Sequence, residues 1–201
     1  RCLSSITRMA SKNIRETYRS HTHEEHIYKV PDTYIGSAEE DKIPSLILSE
    51  DKSKIIREET KIVPGLYKVF DEVLVNALDH HTRMSGTRHE HPMTKIQITA
   101  NQDTGFISIL NDGMGIDIVE HPDQKVWVPE MIFGKLLTST NYDKDEKKFT
   151  GGKNGYGAKL ANIFAKEFTV ETIDSVRGKK YKQTWKDNMK KIGKPRITEC
   201  K

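Results

Sequence analysis

Four glycines within seven residues mark a stretch of the chain that is suited to bind an anion. Residues 150–159 read TGGKNGYGAK, and residues 160–164 continue as an amphipathic helix. Such a loop presents backbone N–H groups at a helix N-terminus, where phosphate is the expected guest. The spacing of Gly152 and Gly157 matches a Walker A loop, but residues 158–160 (AKL) lack the required Lys-Ser or Lys-Thr, and no dinucleotide fingerprint is present.

A second set of polar residues lies on one face of a predicted helix over residues 66–81. Glu72, Asn76 and Asp79 fall on one narrow face at about 100° per residue. The residues near the edges of this face are Lys68 and Arg83, and the apolar residues around it are Leu66, Phe70, Val73, Leu74, Ala77 and Leu78. We expect this helix to be mostly buried, so its carboxylate needs a partner. The alternative is a solvated face with an incidental acid.

A third polar group follows a predicted hairpin. Residues 95–100 alternate in polarity, residues 101–105 supply a loop, and residues 106–110 predict a central returning strand. The strand runs into Asn111-Asp112-Gly113-Met114-Gly115. Two glycines at this spacing allow a tight turn and a close approach to a ligand, although a plain turn is the commoner meaning.

The N-terminal part contains elements that position these groups. Residues 1–20 predict a flexible arm, and Thr22 with Glu25 fits a capping box that opens a short helix. Residues 30–36 predict a turn and a short extended piece. His21, His23 and His26 lie close together, but no cysteine or further pair of histidines nearby completes a tetrahedral metal site, so we expect no metal there.

The sequence also predicts the secondary structure of the segments around these polar groups. Between residues 37 and 54 the sequence predicts a strand only at 46–48, and residues 129–137 predict a helix. Residues 138–141 (TSTN) are four short polar side chains, and residues 142–149 predict a mobile loop. The segments 168–173 and 181–185 predict an antiparallel pair, with Phe168, Val170 and Thr172 facing Tyr181, Gln183 and Trp185.

Composition fits one soluble domain with a flexible tail. The 201 residues are 35% hydrophobic and 31% charged, and the net charge of +4 is spread among interspersed acids and bases, which gives no nucleic-acid footprint. The two cysteines lie at opposite ends, which indicates a reducing compartment without a disulfide. The first fifteen residues are basic and lack acids, which suits an organellar transit segment or a disordered tail.

The chain contains three features in a fixed order: the polar helix, the strand that ends in Asn-Asp-Gly, and the glycine loop. This combination resembles the Bergerat, or GHKL, ATP-binding fold. Topoisomerases II, Hsp90 chaperones, MutL proteins and histidine kinases share this fold. Residues 31–36 (PDTYIG), 63–68 (VPGLYK), 136–139 (LLTS) and 150–159 resemble eukaryotic type II DNA topoisomerases specifically. The resemblance spans about residues 18–188. It implies a two-layer α+β sandwich, whose mixed, mostly antiparallel sheet is covered on one face by helices.

The resemblance also implies roles for residues. Glu72 would be the general base that activates water, Asn76 would hold Mg²⁺, and Asn111 would contact adenine. Tyr18 would reach the nucleotide of the partner protomer. The residues that the resemblance places around ATP are Tyr18, Asn76, Asp79, Arg83, Asn111, Gly115, Ser139, Thr140, Asn141, Gly152, Lys153, Asn154, Gly155, Tyr156, Gly157, Ala158 and Lys159.

At the level of the whole protein, the resemblance implies a nuclear, or alternatively mitochondrial, homodimer that passes one DNA duplex through another. The chain is expected to hold an arm (1–20) and an ATP-binding domain (21–201), without the transducer and DNA-cleaving domains. Its ATP hydrolysis would then be slow. His80 and Thr140 depart from the Asn and Ser that are usual in the family. The alternatives are a catalytically weak nucleotide-dependent dimerisation module and another GHKL ATPase such as a chaperone.

Overall fold

The computed structural model describes residues 22–85, 92–136 and 156–200. The helices in these ranges are α1 (His23–Lys29), α2 (Asp32–Ile35), α3 (Pro64–Ser85), α4 (Val128–Gly134) and α5 (Gly157–Phe164). The strands are β1 (Asp41–Leu48), β2 (Ile55–Ile62), β3 (Ile96–Asn101), β4 (Phe106–Asn111), β5 (Glu167–Asp174), β6 (Lys179–Lys186), β7 (Lys191–Ile192) and β8 (Arg196–Glu199). Each of these helices is too short or too polar to cross a lipid bilayer.

The capping box at the start of α1 is confirmed. Thr22 Oγ1 accepts from the Glu25 N–H, and the Thr22 N–H donates to the Glu25 carboxylate. The extended piece predicted after it is wrong, because the N–H groups of Tyr34 and Ile35 both donate to the Pro31 carbonyl and wind this segment into α2. Proline fixes φ in the range that a first helical turn needs.

The short strand predicted at residues 46–48 is the end of the longer strand β1, which forms a regular hairpin with β2. β1 and β2 pair in antiparallel register from Asp41 opposite Ile62 to Leu48 opposite Ile55. Asp51 closes the turn, since its carboxylate accepts from the Ser49 and Ser53 hydroxyls. Both faces of the hairpin are largely exposed, so backbone pairing rather than burial defines it. Alternation of apolar and polar residues was therefore a weak signal here.

Helix α3 is longer than predicted and less buried. It starts at Pro64, and its second residue, Gly65, packs so closely that a Cβ would lie 3.0 Å from both the Ile35 side chain and the Ser37 carbonyl. Leu66 and Leu78 are 62% and 47% exposed, so the prediction of a mostly buried helix is wrong. In the described part of the chain, the elements that pack most extensively on this helix are α2, α5 and β4.

The hairpin of β3 and β4 is confirmed, with Ile96 opposite Asn111 and Asn101 opposite Phe106. The central position predicted for β4 is wrong in the described structure, where its ladder partner is β3. Phe106 and Ile107 are accordingly about half exposed. Density of apolar residues does not separate a central strand from an edge strand.

The C-terminal sheet carries the main core. The predicted pairing of β5 with β6 is confirmed, with Phe168 opposite Trp185 and Val170 opposite Gln183. The short strands β7 and β8 also pair with β6, although the sequence after Lys186 did not predict strands. Helices α1, α2 and α5 cover one face of this sheet, and the core residues are Ile27, Ile35, Leu160, Ile163, Val170, Trp185 and Met189.

The arrangement of helices over one sheet face agrees with the predicted two-layer α+β fold. The strand pairs in the described ranges are all antiparallel and form three separate sheets, so the mixed sheet of the prediction is not observed there. Helix α4 starts one residue before the prediction and ends at Gly134 instead of residue 137. Its last residue lies against the Trp185 ring, where a Cβ would lie 2.9 Å from Cζ2.

Candidate active site

Glu72, Asn76 and Gly157 meet where α3 crosses the N-terminus of α5. A Cβ built on Gly157 would overlap Glu72 Oε2 and lie 3.4 Å from Asn76 Nδ2. The first hydrogen bond inside α5 runs from the Leu160 N–H to the Tyr156 carbonyl. The N–H groups of residues 157–159 therefore belong to the helix end, which carries a positive partial charge. A carboxylate and an amide thus face an anion-binding helix terminus.

The two carboxylate oxygens of Glu72 have different neighbours. Lys68 Nζ lies 2.6 Å from Oε1, whereas Oε2 faces Gly157. The hydrogen bond to Glu72 raises the pKa of Lys68, so this lysine stays cationic. The Glu72 side chain is 21% exposed, which leaves it within reach of a water or a ligand. The sequence placed Lys68 beside the polar face but assigned it no role.

Asn76 is oriented by the helix that carries it. Its Nδ2 donates to the Glu72 carbonyl, at 2.5 Å. The amide oxygen is then the end of the side chain that can ligate a cation, and Mg²⁺ commonly takes one or two protein oxygens together with phosphates and waters. The donor set around Asn76 thus fits the metal that the sequence resemblance implies.

Asp79 and Arg83 lie further along α3 than Glu72 and Asn76. Arg83 is exposed and lies about three helical turns beyond Glu72, roughly 16 Å along the axis. Asp79 is half-buried one turn beyond Asn76. Contacts of these two residues with a nucleotide remain predictions.

The strand-end loop after β4 is fixed by its own polar side chains. Asn111 Oδ1 accepts from the Gly113 N–H, and Asp112 accepts from the Thr94 hydroxyl and from the N–H groups of Thr94 and Lys95, at 2.6, 2.9 and 2.8 Å. The hydroxyl of Thr94 and these backbone donors lower the pKa of Asp112 to about 2. Asp112 therefore ties the end of β4 to the start of β3, a role that its position in a common turn motif did not reveal.

Gly113 and Gly115 are needed for contacts within the protein. A Cβ on Gly115 would overlap the Ile173 carbonyl, and a Cβ on Gly113 would lie 2.9 Å from Met84 Sδ and 3.1 Å from His80 Nε2. From the sequence, we expected these glycines to allow a tight turn and the close approach of a ligand. The structure shows in addition that β5 and α3 approach this loop closely, and contact of Gly115 with a nucleotide stays a prediction.

The far side of the same loop is bound to β5. The Ile116 N–H donates to Thr172 Oγ1, and the Ile118 N–H donates to Asp174 Oδ2. Burial raises the pKa of Asp174, but the hydrogen bonds from Ile118 and Arg177 outweigh this and leave it below its usual range. No sequence signal singled out Asp174.

The start of α5 is anchored by an aromatic cluster and carries a buried lysine. The ring of Tyr156 lies 5.6 Å from His23 and 6.2 Å from Tyr34, measured between centroids. Lys159 is 3% exposed, and burial lowers its pKa to about 8. Its contact with phosphate stays a prediction, as does any contact of the buried Ala158 with the nucleotide.

Several predicted nucleotide ligands lie outside the described residues, together with the arm and the loop at 142–149. These ligands are Tyr18, Ser139, Thr140, Asn141, Gly152, Lys153, Asn154 and Gly155.

Comparison with known proteins identifies the class. The model of the histidine kinase-, DNA gyrase B-, and HSP90-like ATPase family matches residues 62–187. The chain therefore belongs to this family, and the predicted GHKL fold is confirmed. Within the family, it corresponds to the ATPase region of DNA topoisomerase II, with about 50% identity to such enzymes over most of its length.

The individual relatives support this assignment. DNA topoisomerase 2 of Candida glabrata is 50% identical over 190 residues, which cover 94% of this chain and 13% of that protein. DNA topoisomerase 2-beta of Gallus gallus is 50% identical over 185 residues, or 92% of this chain and 11% of that protein. The crystal structure of the ATPase region of Saccharomyces cerevisiae topoisomerase II superposes with a TM-score of 0.86 at 47% identity, covering 92% of this chain and 48% of that one. The chain thus spans only about an eighth of the relatives in sequence.

Proposed function

We propose that this chain binds and hydrolyses ATP as part of a type IIA DNA topoisomerase, and that its nucleotide cycle drives dimerisation and the passage of one DNA duplex through another. The observation that carries this proposal is the convergence of Glu72 Oε2 and Asn76 on Gly157 at the N-terminus of α5. This arrangement provides a base and a metal-compatible amide beside an anion-binding helix end.

Glu72 acts as the general base in this proposal. Its Oε2 takes a proton from the water that attacks the γ-phosphate, while Lys68 remains on Oε1 and keeps the carboxylate turned toward α5. The partial positive charge at the helix end faces the negative charge of the transferred phosphoryl group. Positioning and electrostatic stabilisation supply most of the rate in such reactions.

Asn76 would hold Mg²⁺ through its amide oxygen. When bound, the metal neutralises charge on the phosphate oxygens. One helical turn separates Asn76 from Glu72, so the metal ligand and the base lie on the same side of the nucleotide.

The remaining contacts complete the proposal. Asn111 would face adenine from the end of β4, and Lys159 would meet the phosphates from α5. Residues 139–141 and 152–155 would surround ribose and phosphates, while Asp79, Arg83, Gly115, Tyr156 and Ala158 would line the site. Tyr18, in the arm of residues 1–20, would reach the nucleotide of the partner protomer in a homodimer. DNA would bind mostly through other domains, in the nucleus or alternatively in mitochondria.

The test replaces Glu72→Gln in a full-length protein that contains this chain. Glutamine keeps the size of the side chain but cannot accept a proton, so hydrolysis should fall by roughly 10²-fold or more. Affinity for a non-hydrolysable ATP analogue with Mg²⁺, measured by calorimetry, should stay near that of the wild type.

Asp71→Asn is the matched control, because Asp71 precedes Glu72 and lies 4.0 Å from the same lysine. This variant should hydrolyse ATP within about twofold of the wild type, as expected when an exposed ion pair is lost. Equal turnover of the Glu72→Gln variant and the wild type would contradict the role of Glu72 as the base.

A further inference from the structure

His80 joins the helix of the candidate base to the loop at the end of β4. Its Nε2 lies 2.6 Å from the Met114 carbonyl oxygen. A carbonyl can only accept, so Nε2 carries the hydrogen and donates it. Nε2 bears a hydrogen in this neutral tautomer and in the protonated ring alike, so the contact does not depend on the protonation of His80.

The loop that His80 contacts is held from both sides. Met114 lies between Asn111, at the end of β4, and Ile116, whose N–H donates to Thr172 on β5. On the α3 side, the His80 ring packs against Gly113, where a Cβ would lie only 3.1 Å from Nε2. His80 thus supplies a hydrogen bond from the helix side, next to the packing of Met84, to a loop whose other side is fixed to the sheet.

We propose that His80 is a positioning residue that sets the distance between residues 111–116 and the helix bearing Glu72 and Asn76, and thereby determines affinity and selectivity for the base of the nucleotide. The inference rests on the proposed function, in which Asn111 faces adenine. His80 touches the loop rather than Glu72, so it acts on binding of the base and leaves the hydrolytic step in place.

The length of the side chain matters for this role. Imidazole Nε2 is three bonds from Cβ, whereas the amide nitrogen of asparagine is only two bonds away. An asparagine at this position, which the sequence resemblance leads one to expect, would not span the same gap to the Met114 carbonyl. Glutamine places an amide nitrogen three bonds from Cβ and keeps a donor at the required reach.

The experiment measures binding of a non-hydrolysable ATP analogue and of its guanine counterpart to this 201-residue chain with Mg²⁺. His80→Ala should weaken binding of the adenine analogue about 3- to 10-fold, the scale of one lost hydrogen bond, and should lower the adenine-to-guanine selectivity. His80→Gln should recover most of both. In the full-length protein, His80→Ala should raise KM for ATP while kcat stays within about twofold.

His81→Ala is the matched control, since His81 is the next, exposed residue of α3 and should bind both nucleotides like the wild type. Wild-type affinity and selectivity in His80→Ala would overturn the inference. Equal losses for both nucleotides, or a loss that His80→Gln does not recover, would also overturn it. A wild-type chain without affinity for the adenine analogue would refute the proposed function itself, and this inference with it.

Discussion

Gly157→Ala should disable the candidate base by a steric effect alone. The new Cβ would overlap Glu72 Oε2, so this carboxylate, which pairs with Lys68 through its other oxygen, would have to move away from Gly157. Gly157 has no left-handed backbone conformation that alanine would strain. Gly157 is the first residue of α5, and alanine is a better helix former than glycine by about 1 kcal/mol. The substitution should therefore not destabilise the helix.

The size of the effect follows from the displacement. Relieving the overlap requires Glu72 Oε2 to move by about 1 Å, and a misplacement of this size in a reacting group costs on the order of 10²-fold in rate. We therefore expect kcat for ATP hydrolysis by the full-length protein to fall about 10- to 100-fold. The melting temperature should stay within a few degrees of the wild type. The assay is steady-state hydrolysis, with thermal unfolding of the same preparations.

A double-mutant cycle with Glu72→Ala identifies the cause of the loss. If Gly157→Ala acts through Glu72, it should add little in a protein that already lacks the carboxylate. Fully additive losses, or unchanged hydrolysis in Gly157→Ala, would refute the reasoning. Lys166→Ala, an alanine substitution between α5 and β5, serves as a control and should hydrolyse ATP normally.

Three other predictions follow from the described contacts. Asn76→Ala should weaken binding of the ATP analogue with Mg²⁺ about 10-fold or more but change it little in EDTA; calorimetry that shows equal losses in both would refute the metal role. Burial lowers the pKa of Lys159 from 10.5 to about 8. Between pH 8 and 10.5 the unfolded chain therefore binds more protons than the folded chain, and the free energy of unfolding should rise with pH. Lys159→Met should remove that rise with pH, and an unchanged stability profile by scanning calorimetry would contradict this. The pKa of Asp112 is depressed to about 2, so its contribution to stability is present above pH 3.8 and is lost as the pH falls through 2. Asp112→Asn should therefore lower the melting temperature at pH 7 and weaken its decrease at acid pH. A decrease identical to that of the wild type would contradict a stabilising role for the hydrogen bonds of Asp112 with Thr94 and Lys95.

The sequence correctly predicted the elements that depend on residues close together in the chain. The capping box of Thr22 and Glu25 and the register of β5 with β6 depend on neighbours in sequence or on simple alternation, and both are confirmed. The pairing of Glu72 with Asn76 also follows from helical spacing. The meeting of these two residues with Gly157 came only from the family resemblance, because α3 and α5 are separated by a long stretch of chain.

The failures concern burial and tertiary anchoring. The composition of α3 suggested a buried helix, but burial depends on which neighbours pack on each face, and Leu66 has few of them. The same holds for β4, whose apolar residues are half exposed. Asp174 and His80 acquire their roles through contacts with residues 56 and 34 positions away, respectively, and no local pattern encodes such contacts.

The contacts of Glu72 indicate which part of the fold controls the candidate site. The pair with Lys68 is short, but Lys68 is 44% exposed, and an ion pair at such a site contributes less than about 1 kcal/mol. That is a factor of about five in rotamer population, enough to favour one orientation but not to fix it. Glu72 Oε2 lies where a Cβ on Gly157 would stand, so the missing side chain at Gly157 leaves the space that the carboxylate occupies. The position of α5 depends in turn on Tyr156, packed against His23 and Tyr34 from the N-terminal helices. The orientation of the base is therefore coupled to the N-terminal helices α1 and α2, and not only to the helix that carries it.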